Sequence, residues 1–210
     1  MSSYIYPNNN FEAGIDESNR GGLLGNVVAA CVVLKVPETK EELKIYKEIK
    51  DSKKLSKKKR KELAIYIKEN ALTYGIGTAS NEEIDDINIL NATMKAMLRA
   101  TDIAYKKYKF NKIYVDGPYY NTYIPPGENS DFIPHECINK GDSIYTSIAA
   151  ASILAKEQHN ENIHNLVSEN SELEKYDLLN NHGYGTKKHL EAIQMYGITK
   201  WHRKSYKTCK

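Results

Sequence analysis

The feature that most constrains the fold is the order of two hydrophobic periodicities along the chain. Two apolar, β-branched runs, at 13–16 and 26–36, come first and are separated by a glycine-rich segment, as expected for two strands joined by a loop. A third strand is predicted at 73–80, a long helix from 81 to about 109, and a fourth strand at 112–117. A strand, a helix and a strand in this order form a βαβ unit. We therefore expect an α/β fold with a mixed central β-sheet flanked by helices.

The rest of the chain is predicted to be mostly helical. Ser56 lies directly before a run with helical spacing and is placed as its N-cap. The proline-rich stretch 118–140 is predicted to be a loop or a loosely structured insert. Further helices are predicted at 40–50, 57–72, 147–156 and about 187–196. No repeat or linker divides the chain, so we expect one domain over 1–210, with a polar lead at 1–11 and a helical, basic segment at about 160–210.

Composition adds limits to this prediction. Hydrophobic residues make up 40% of the 210 residues, which is enough for a substantial core. The formal net charge of +3 permits a nucleic-acid partner without requiring one. The three cysteines are far apart, which is typical of reduced thiols, and neither a signal peptide nor a membrane-spanning stretch is recognisable. We therefore expect a soluble, intracellular (cytoplasmic) protein that is a monomer without an obligate protein subunit.

Four acidic residues lie where strands end or a helix begins. Asp16 and Glu17 close the first strand, Asp116 closes the strand that begins at 112, and Asp142 precedes the helix at 147. A sheet holds such carboxylates rigidly, and hard oxygen ligands favour Mg²⁺ or Mn²⁺. Two such ions can activate a water and stabilise the leaving oxygen of a phosphodiester. By spacing alone these acids could equally be ordinary turn residues.

Longer strings of residues point to a known family. They are AGIDESNRGGLLG at 13–25, DSKKLS at 51–56, YVDG at 114–117, KGD at 140–142, SIAAASILAK at 147–156 and HGYGTKKHLEA at 182–192. In these six ordered blocks the sequence resembles ribonuclease HII, over roughly 14–206. The resemblance implies an RNase H-like fold with a small C-terminal helical part. It also implies a metal-dependent endonuclease that cuts RNA in RNA–DNA hybrids and incises at ribonucleotides embedded in duplex DNA.

The resemblance assigns the four acids their roles. Asp16 and Glu17 match the first two catalytic acids of the family, Asp116 the third, and Asp142 of the KGD block the fourth. Their implied function is to bind two Mg²⁺ or Mn²⁺ ions, one lowering the pKa of the attacking water and the other neutralising the departing 3′ oxygen. The implied products carry a 5′-phosphate and a 3′-hydroxyl.

Substrate choice requires sensing the 2′-hydroxyl, which distinguishes RNA from DNA. In the family a Gly-Arg-Gly turn does this largely with main-chain groups, and the matching residues here are Asn19, Arg20 and Gly21. Asn tolerates left-handed backbone conformations better than most residues, so the turn can be retained. Tyr184 matches a family tyrosine that stacks on the neighbouring deoxyribose; without the resemblance it would be interpreted as a half-buried core tyrosine.

Several basic segments could contact phosphates. We interpret Lys53 and Lys54, inside the DSKKLS block, as phosphate ligands, and 57–60 rather as a solvated helix face. The tail 201–210 mixes aromatic residues with cations, which is typical either of duplex contact or of a frayed terminus. A two-metal mechanism needs no catalytic histidine, so the histidines are expected to cap or pack.

Two alternatives to an active ribonuclease HII remain at the sequence level. One is a module that binds hybrids but cuts poorly, because Asn19 and Asn160 depart from the family pattern, which has glycine and aspartate there. The other is the related ribonuclease HIII type. It is disfavoured because that family usually carries an extra N-terminal substrate-binding domain, and the Arg20–Gly21 pair favours HII.

Overall fold

A mixed sheet of five strands is the centre of the computed structural model, which describes residues 4–127 and 131–210. The strands are β1 (Glu12–Ser18), β2 (Val27–Val33), β3 (Thr73–Ala79), β4 (Lys112–Asp116) and β5 (His135–Ile138). Their order across the sheet is β3-β2-β1-β4-β5. β1 pairs antiparallel with β2 and parallel with β4, β2 pairs antiparallel with β3, and β4 pairs parallel with β5. The predicted mixed sheet is confirmed.

The prediction of a loop or a loosely structured insert at 118–140 was wrong in part. Its residues 135–138 form the edge strand β5, and residues 128–130 lie outside the described part of the chain. β5 has only four residues, none of them fully buried, so it carries no periodic signal and exists because β4 offers it a partner. The tyrosines of this stretch pack inward: Tyr120 and Tyr123 are buried against the long helix that precedes β4.

The described part of the chain contains six α-helices. They are α1 (Lys40–Tyr46), α2 (Lys57–Asn70), α3 (Asn81–Lys107), α4 (Thr146–Glu169), α5 (Leu178–Asn181) and α6 (Lys187–Tyr196). Ser56 caps α2 as predicted, because its side chain accepts from the N–H of Lys59. α4 is much longer than the predicted 147–156. Its second half is mostly polar, and its apolar residues Ile163, Leu166 and Val167 pack against Leu24, Tyr176 and Leu178. Among these described helices, none is long and apolar enough to cross a membrane.

Both faces of the sheet are covered. α3 packs on one face, where alanines such as Ala96 and Ala100 meet the side chains of β1, β2 and β4. α2 and α4 cover the other face. The start of α4 lies so close to β1 that a Cβ on Gly14 would fall 2.2 Å from the main-chain carbon of Ser147. Glycine at this position therefore sets the distance between α4 and the strand that carries Asp16 and Glu17.

The C-terminal part adds a third apolar cluster beside α4, built on Leu24, Ile163 and Tyr176. The tail that follows α6 packs into this part of the molecule. His202 and Arg203 are fully buried, so the tail is not a frayed terminus. The polar lead is also attached, since the N–H of Ile5 donates to Ile144 O at 2.7 Å.

Candidate active site

The register of the two parallel central strands brings Asp16 and Asp116 together. β1 and β4 pair from Glu12 opposite Lys112 to Ile15 opposite Val115, so the next residue on each strand is an aspartate. Side chains alternate along a strand, and the two aspartates therefore lie on the same face, at the same end of the sheet. This face is covered by α4, the helix that carries Ser152.

The two remaining acids approach this strand end from different elements. Glu17 follows Asp16 on β1, and its N–H donates to Asp16 Oδ1 at 2.7 Å. Asp142 lies in the short 3₁₀ turn Gly141–Ser143 that leads into α4. The N–H of Gly141 donates to Asp116 Oδ1 at 2.6 Å, with the N–H of Asp142 at 3.4 Å from the same oxygen. One oxygen of Asp116 is thus held by the main chain of the KGD block, which ties Asp142 to the strand end.

The acids form a negative cluster that Arg20 and Lys53 compensate only in part. Burial, and then the charges of Glu17 and Asp116, raise the pKa of Asp16 well above its ordinary value. The pKa of Glu17 is also raised, chiefly by burial, although Arg20 opposes the shift. Burial and the charge of Asp116 raise the pKa of Asp142. Clustered carboxylates with raised pKa values are typical of sites that bind cations or transfer protons.

Most of the predicted site residues line one groove of about 310 Å³. The predicted residues in its wall are Asp16, Glu17, Asn19, Arg20, Gly21, Lys53, Asp116 and Tyr184. Asp142 and Lys54 are not in this wall. Asp142 is buried beside it, and the exposed Lys54 lies 3.7 Å from Asp51 and 3.5 Å from Ser143 Oγ. The structure therefore brings eight of the ten predicted residues into a single groove and places the other two at its margin.

Larger cavities lie elsewhere in the described part of the chain, among them one of about 540 Å³ between α2 and α4. Its wall combines lysines with Glu157, Asn160 and Glu161, and none of the strand-end acids contributes to it. The smaller groove at the end of β1 and β4 is therefore the candidate active site, because chemistry depends on the groups present rather than on volume.

The turn after β1 has the left-handed conformation that the sequence allowed. Asn19 has φ +67°, and its side-chain amide donates to Leu24 O at 3.0 Å and Asn26 O at 2.9 Å. The side chain lies directly over Gly22, where a Cβ would fall 1.8 Å from Asn19 Oδ1. Asn19 thus replaces the glycine of the family pattern by filling the inside of its own loop. Arg20 reaches back towards Glu17, at 3.8 Å.

Lys53 is the basic residue most closely coupled to the acids. Burial acts to lower its pKa, but the charges of Asp142, Asp51, Asp16 and Asp116 outweigh this and raise it. An ammonium group in the wall of an acidic groove can bind a phosphate there.

Four groove residues were not predicted from the sequence, namely Ser18, Ser52, Ser152 and Lys156. The hydroxyls of Ser52 and Ser152 are 3.0 Å apart, which links the DSKKLS block to α4. Lys156 Nζ lies 4.9 Å from the ring centre of Tyr184, in cation–π contact. Ser52, Ser152 and Lys156 fall inside blocks that carried the resemblance, but nothing in their spacing marked them as part of the site.

Metal binding can be tested against the donor set. Among residues 4–127 and 131–210, no three His, Cys, Asp or Glu side chains converge closely enough to enclose one ion. Mg²⁺ does not require such a cage, because it usually keeps several waters and binds through one or two carboxylates plus substrate phosphates. The groove supplies hard carboxylate oxygens, and burial and mutual repulsion raise the pKa of Asp16 among them. Its residues fit a divalent cation of the Mg²⁺ or Mn²⁺ kind.

Comparison with known proteins identifies the family of this chain. The chain matches the family described as Ribonuclease HII over residues 13–209. It is 44% identical over 195 residues to the ribonuclease HII of Christiangramia forsetii, covering 93% of this chain and 89% of that protein. The ribonuclease HII of Caldanaerobacter subterraneus is 46% identical over 198 residues, covering 94% of this chain and 74% of that protein.

Solved structures share the fold. Ribonuclease H2 from Pyrococcus horikoshii superposes with a TM-score of 0.68 at 22% identity, covering 94% of both chains. Bst-RNase HIII in complex with Mn²⁺ superposes with a TM-score of 0.67 at 19% identity, covering 96% of this chain and 68% of the other. The fold is therefore RNase H-like, as the resemblance implied. From the family match and the two relatives, we conclude that this chain belongs to the ribonuclease HII family, the metal-dependent ribonucleases H that cleave RNA in RNA–DNA hybrids.

Proposed function

We propose that this ribonuclease H also incises at single ribonucleotides embedded in duplex DNA, and that it works by two-metal-ion catalysis to give 5′-phosphate and 3′-hydroxyl ends. The observation that carries the proposal is the shared groove. It places Asp16, Glu17 and Asp116 beside the turn at Asn19 and beside Tyr184. Carboxylates that can bind metal ions and groups that can contact a sugar therefore line the same groove.

The metal ligands in this proposal are Asp16, Glu17, Asp116 and Asp142. Bound Mg²⁺ or Mn²⁺ would lower the pKa of the attacking water and stabilise the charge on the departing 3′ oxygen. The chain's own contribution is to orient the ligands in advance. Gly141 N–H holds one oxygen of Asp116, and Glu17 N–H holds one oxygen of Asp16. Carboxylates held in this way lose little freedom when a cation binds.

The other groove residues bind and select the substrate in this proposal. Lys53 and Arg20 supply positive charge for phosphates next to the reacting bond. The main chain of Asn19, Arg20 and Gly21 contacts the 2′-hydroxyl. Tyr184, whose ring is packed against Lys156, stacks on the neighbouring deoxyribose. A sugar with a 2′-hydroxyl followed by a deoxyribose is the arrangement found at an embedded ribonucleotide.

The left-handed conformation of Asn19 weighs against the alternative of a module that binds hybrids without cutting them. That alternative depended on a turn disturbed by the replacement of glycine, whereas Asn19 adopts a left-handed conformation that glycine would also adopt. The second departure, Asn160, lies 3.4 Å from Glu157 on α4 and is not among the residues of the groove wall.

The test uses two labelled substrates, a DNA duplex with one ribonucleotide and a long RNA strand paired with DNA. Wild type should cut the first on the 5′ side of the ribonucleotide and should also cut the second, in the presence of Mg²⁺ or Mn²⁺. Asp116→Asn should lower both rates by at least about a thousandfold, because the variant loses a charged ligand. The matched control is Asp86→Asn, an exposed aspartate of α3 outside the groove, which should cut like wild type.

Each result has a distinct meaning. Cutting of the long hybrid alone would remove ribonucleotide incision from the proposal and leave the hydrolase. Equal rates for wild type and Asp116→Asn would overturn the assignment of the metal ligands.

A further inference from the structure

Arg203, near the end of the chain, is a fully buried guanidinium. Among the described residues no carboxylate lies within 4.0 Å of it, so its charge is satisfied by dipoles. It donates to Asn19 O at 2.7 Å, to Arg20 O at 3.0 Å and to Gly25 O at 3.1 Å. All three acceptors are main-chain carbonyls of the loop that joins β1 to β2. Removing a guanidinium from water costs free energy. Here the buried group makes three of its hydrogen bonds to this one loop, so it restricts the conformation of the loop.

Tyr206 completes this set of contacts. Its hydroxyl accepts from Arg203 at 3.0 Å and donates to Arg20 O at 2.9 Å. Asn19 and Arg20 line the groove, whereas Arg203 does not. The loop therefore lies between Arg203 and the groove, and the carbonyls of Asn19 and Arg20 are turned towards the guanidinium.

The main chain around Arg203 is attached to the same loop. Arg203 N–H donates to Leu23 O at 2.9 Å, and Gly25 N–H donates to Trp201 O at 3.0 Å. The segment is also anchored to the start of α3. Asp85 accepts from the N–H groups of Lys204 and Ser205, at 3.0 and 2.8 Å. We call residues Thr199–Tyr206 the C-terminal brace.

The C-terminal brace also reaches Tyr184, through two histidines. Thr199 N–H donates to His202 Nδ1 at 2.9 Å, so the proton of a neutral His202 is on Nε2. His202 Nε2 is 3.1 Å from His189 Nε2, and His189 Nδ1 is 3.0 Å from Tyr184 O. Because a carbonyl only accepts, His189 donates from Nδ1 and accepts from His202 at Nε2. The chain of donors runs in one direction, from Thr199 to Tyr184.

We propose that the C-terminal brace is the positioning element for substrate selection, with Arg203 as its central residue. Arg203 fixes the loop at Asn19 and Arg20, and His202 fixes Tyr184 through His189. The inference rests on the proposed function, in which the loop at Asn19 and Arg20 contacts the ribose and Tyr184 stacks on the neighbouring deoxyribose. Main-chain groups can distinguish ribose from deoxyribose only if they are placed to within a fraction of an ångström, and a flexible loop cannot provide that.

The primary test measures discrimination in binding. Fluorescence anisotropy in EDTA, where no metal-dependent cutting occurs, gives the Kd for a duplex with one ribonucleotide and for the matched all-DNA duplex. Arg203→Lys keeps the charge but cannot reach three carbonyls at once. We expect it to weaken binding of the ribonucleotide duplex by about tenfold while the Kd of the all-DNA duplex changes by less than about twofold. Lys207→Ala, an exposed cation outside the C-terminal brace, is the matched control and should leave both constants unchanged.

A second variant distinguishes a loss of substrate selection from a general loss of stability. Tyr206→Phe keeps the ring and removes only the hydroxyl that donates to Arg20 O. It should melt near the wild-type temperature and still lose about threefold in discrimination. Discrimination that stays at the wild-type value in both variants, whatever their melting temperatures, would overturn the inference. So would a parallel loss of affinity for both duplexes, because that is the signature of general unfolding.

The outcome for the proposed function is separate. A wild type that discriminates in binding but cuts neither substrate with Mg²⁺ or Mn²⁺ would refute the proposed chemistry and leave the C-terminal brace testable. A wild type that cuts the embedded ribonucleotide but binds both duplexes equally would refute the inference and leave the chemistry.

Discussion

At the scale of single residues, Asn19 shows how a departure from the family pattern can be accommodated. The left-handed conformation costs a residue with a Cβ about 1–2 kcal/mol. Asn19 offsets this with two hydrogen bonds from its side chain to the carbonyls of Leu24 and Asn26. The same side chain fills the space above Gly22, so that these two positions depend on each other.

This dependence gives a prediction for a double-mutant cycle. Asn19→Ala should lower the free energy of unfolding by about 2–4 kcal/mol, since it keeps the strain and loses both hydrogen bonds. Asn19→Gly should cost less, because glycine is unstrained at this φ. Gly22→Ala should be strongly destabilising in wild type and much milder in the Asn19→Gly background. Urea unfolding of wild type, Asn19→Gly, Gly22→Ala and the double variant measures the coupling between positions 19 and 22. Additive effects on the free energy of unfolding would contradict a contact between the two positions.

The electrostatics of the groove also belong to this scale. Lys53 is the clearest example of a residue whose role depends on its neighbours. By sequence it is one lysine in a basic stretch, whereas in the structure it faces Asp142, Asp51, Asp16 and Asp116. A lysine among four carboxylates compensates part of their charge before a substrate or cation arrives.

At the scale of secondary-structure elements, the separation of β1 and α4 governs the site. Gly14 leaves room for the main chain at Ser147, and the same helix carries Ser152, which lines the groove together with Asp16. α4 also begins directly after the turn that holds Asp142. A shift of this one helix therefore changes the surroundings of two acids together.

We predict that Gly14→Ala impairs activity beyond its effect on stability. The added Cβ would meet main-chain atoms at 2.2 Å, so α4 has to move away from β1. Gly75→Ala is the matched control, because a Cβ there would meet Ala100 O of α3 at 2.1 Å, on the opposite face of the sheet. Both variants should lose stability by about 1–3 kcal/mol.

The two variants should differ in their response to metal. The Mg²⁺ concentration for half-maximal cleavage of the long hybrid should rise several-fold in Gly14→Ala and stay close to wild type in Gly75→Ala, at a temperature where both are folded. Identical metal dependence in the two glycine variants would show that the position of α4 does not control the site.

At the scale of the whole molecule, buried histidines make the fold sensitive to acid. Burial lowers the pKa of His159 to about 3 and that of His202 to about 4. Their unfolded pKa is about 6.5. Between these values the unfolded chain binds protons that the folded protein excludes, so stability falls as the pH drops below about 6.5. The raised pKa values of Asp16, Glu17 and Asp142 act in the opposite direction, because protonation relieves their repulsion.

His159 provides the test of this pH dependence. Its Nε2 lies 2.9 Å from His182 O, and the amide of glutamine can replace that donor without titrating. His159→Gln should therefore reduce the slope of unfolding free energy against pH by about 1.4 kcal/mol per unit between pH 6 and 5. Urea unfolding over this range measures the slope, with the exposed His164→Gln as control. An unchanged slope in His159→Gln would mean that His159 is not neutral in the folded state.

The features that could be predicted from the sequence are either local patterns or longer strings of residues. Apolar runs ended by acids predicted β1 and β4, Ser56 predicted the start of α2, and helical spacing predicted α6 at the residues where it lies. The strings of the six blocks were specific enough to indicate the family and the fold. These signals can be read from the sequence because they depend on neighbours within a few residues of one another.

Contacts between residues far apart in the sequence could be identified only in the folded protein. The register of β1 on β4 sets Asp16 beside Asp116, although 99 residues separate them in the chain. Arg203 meets the carbonyl of Asn19 across 184 positions, and the tail looked equally suited to fraying. β5 forms only because β4 presents an open edge. Such contacts arise when the whole chain buries its apolar surface at once, and no local pattern records which partners that burial will bring together.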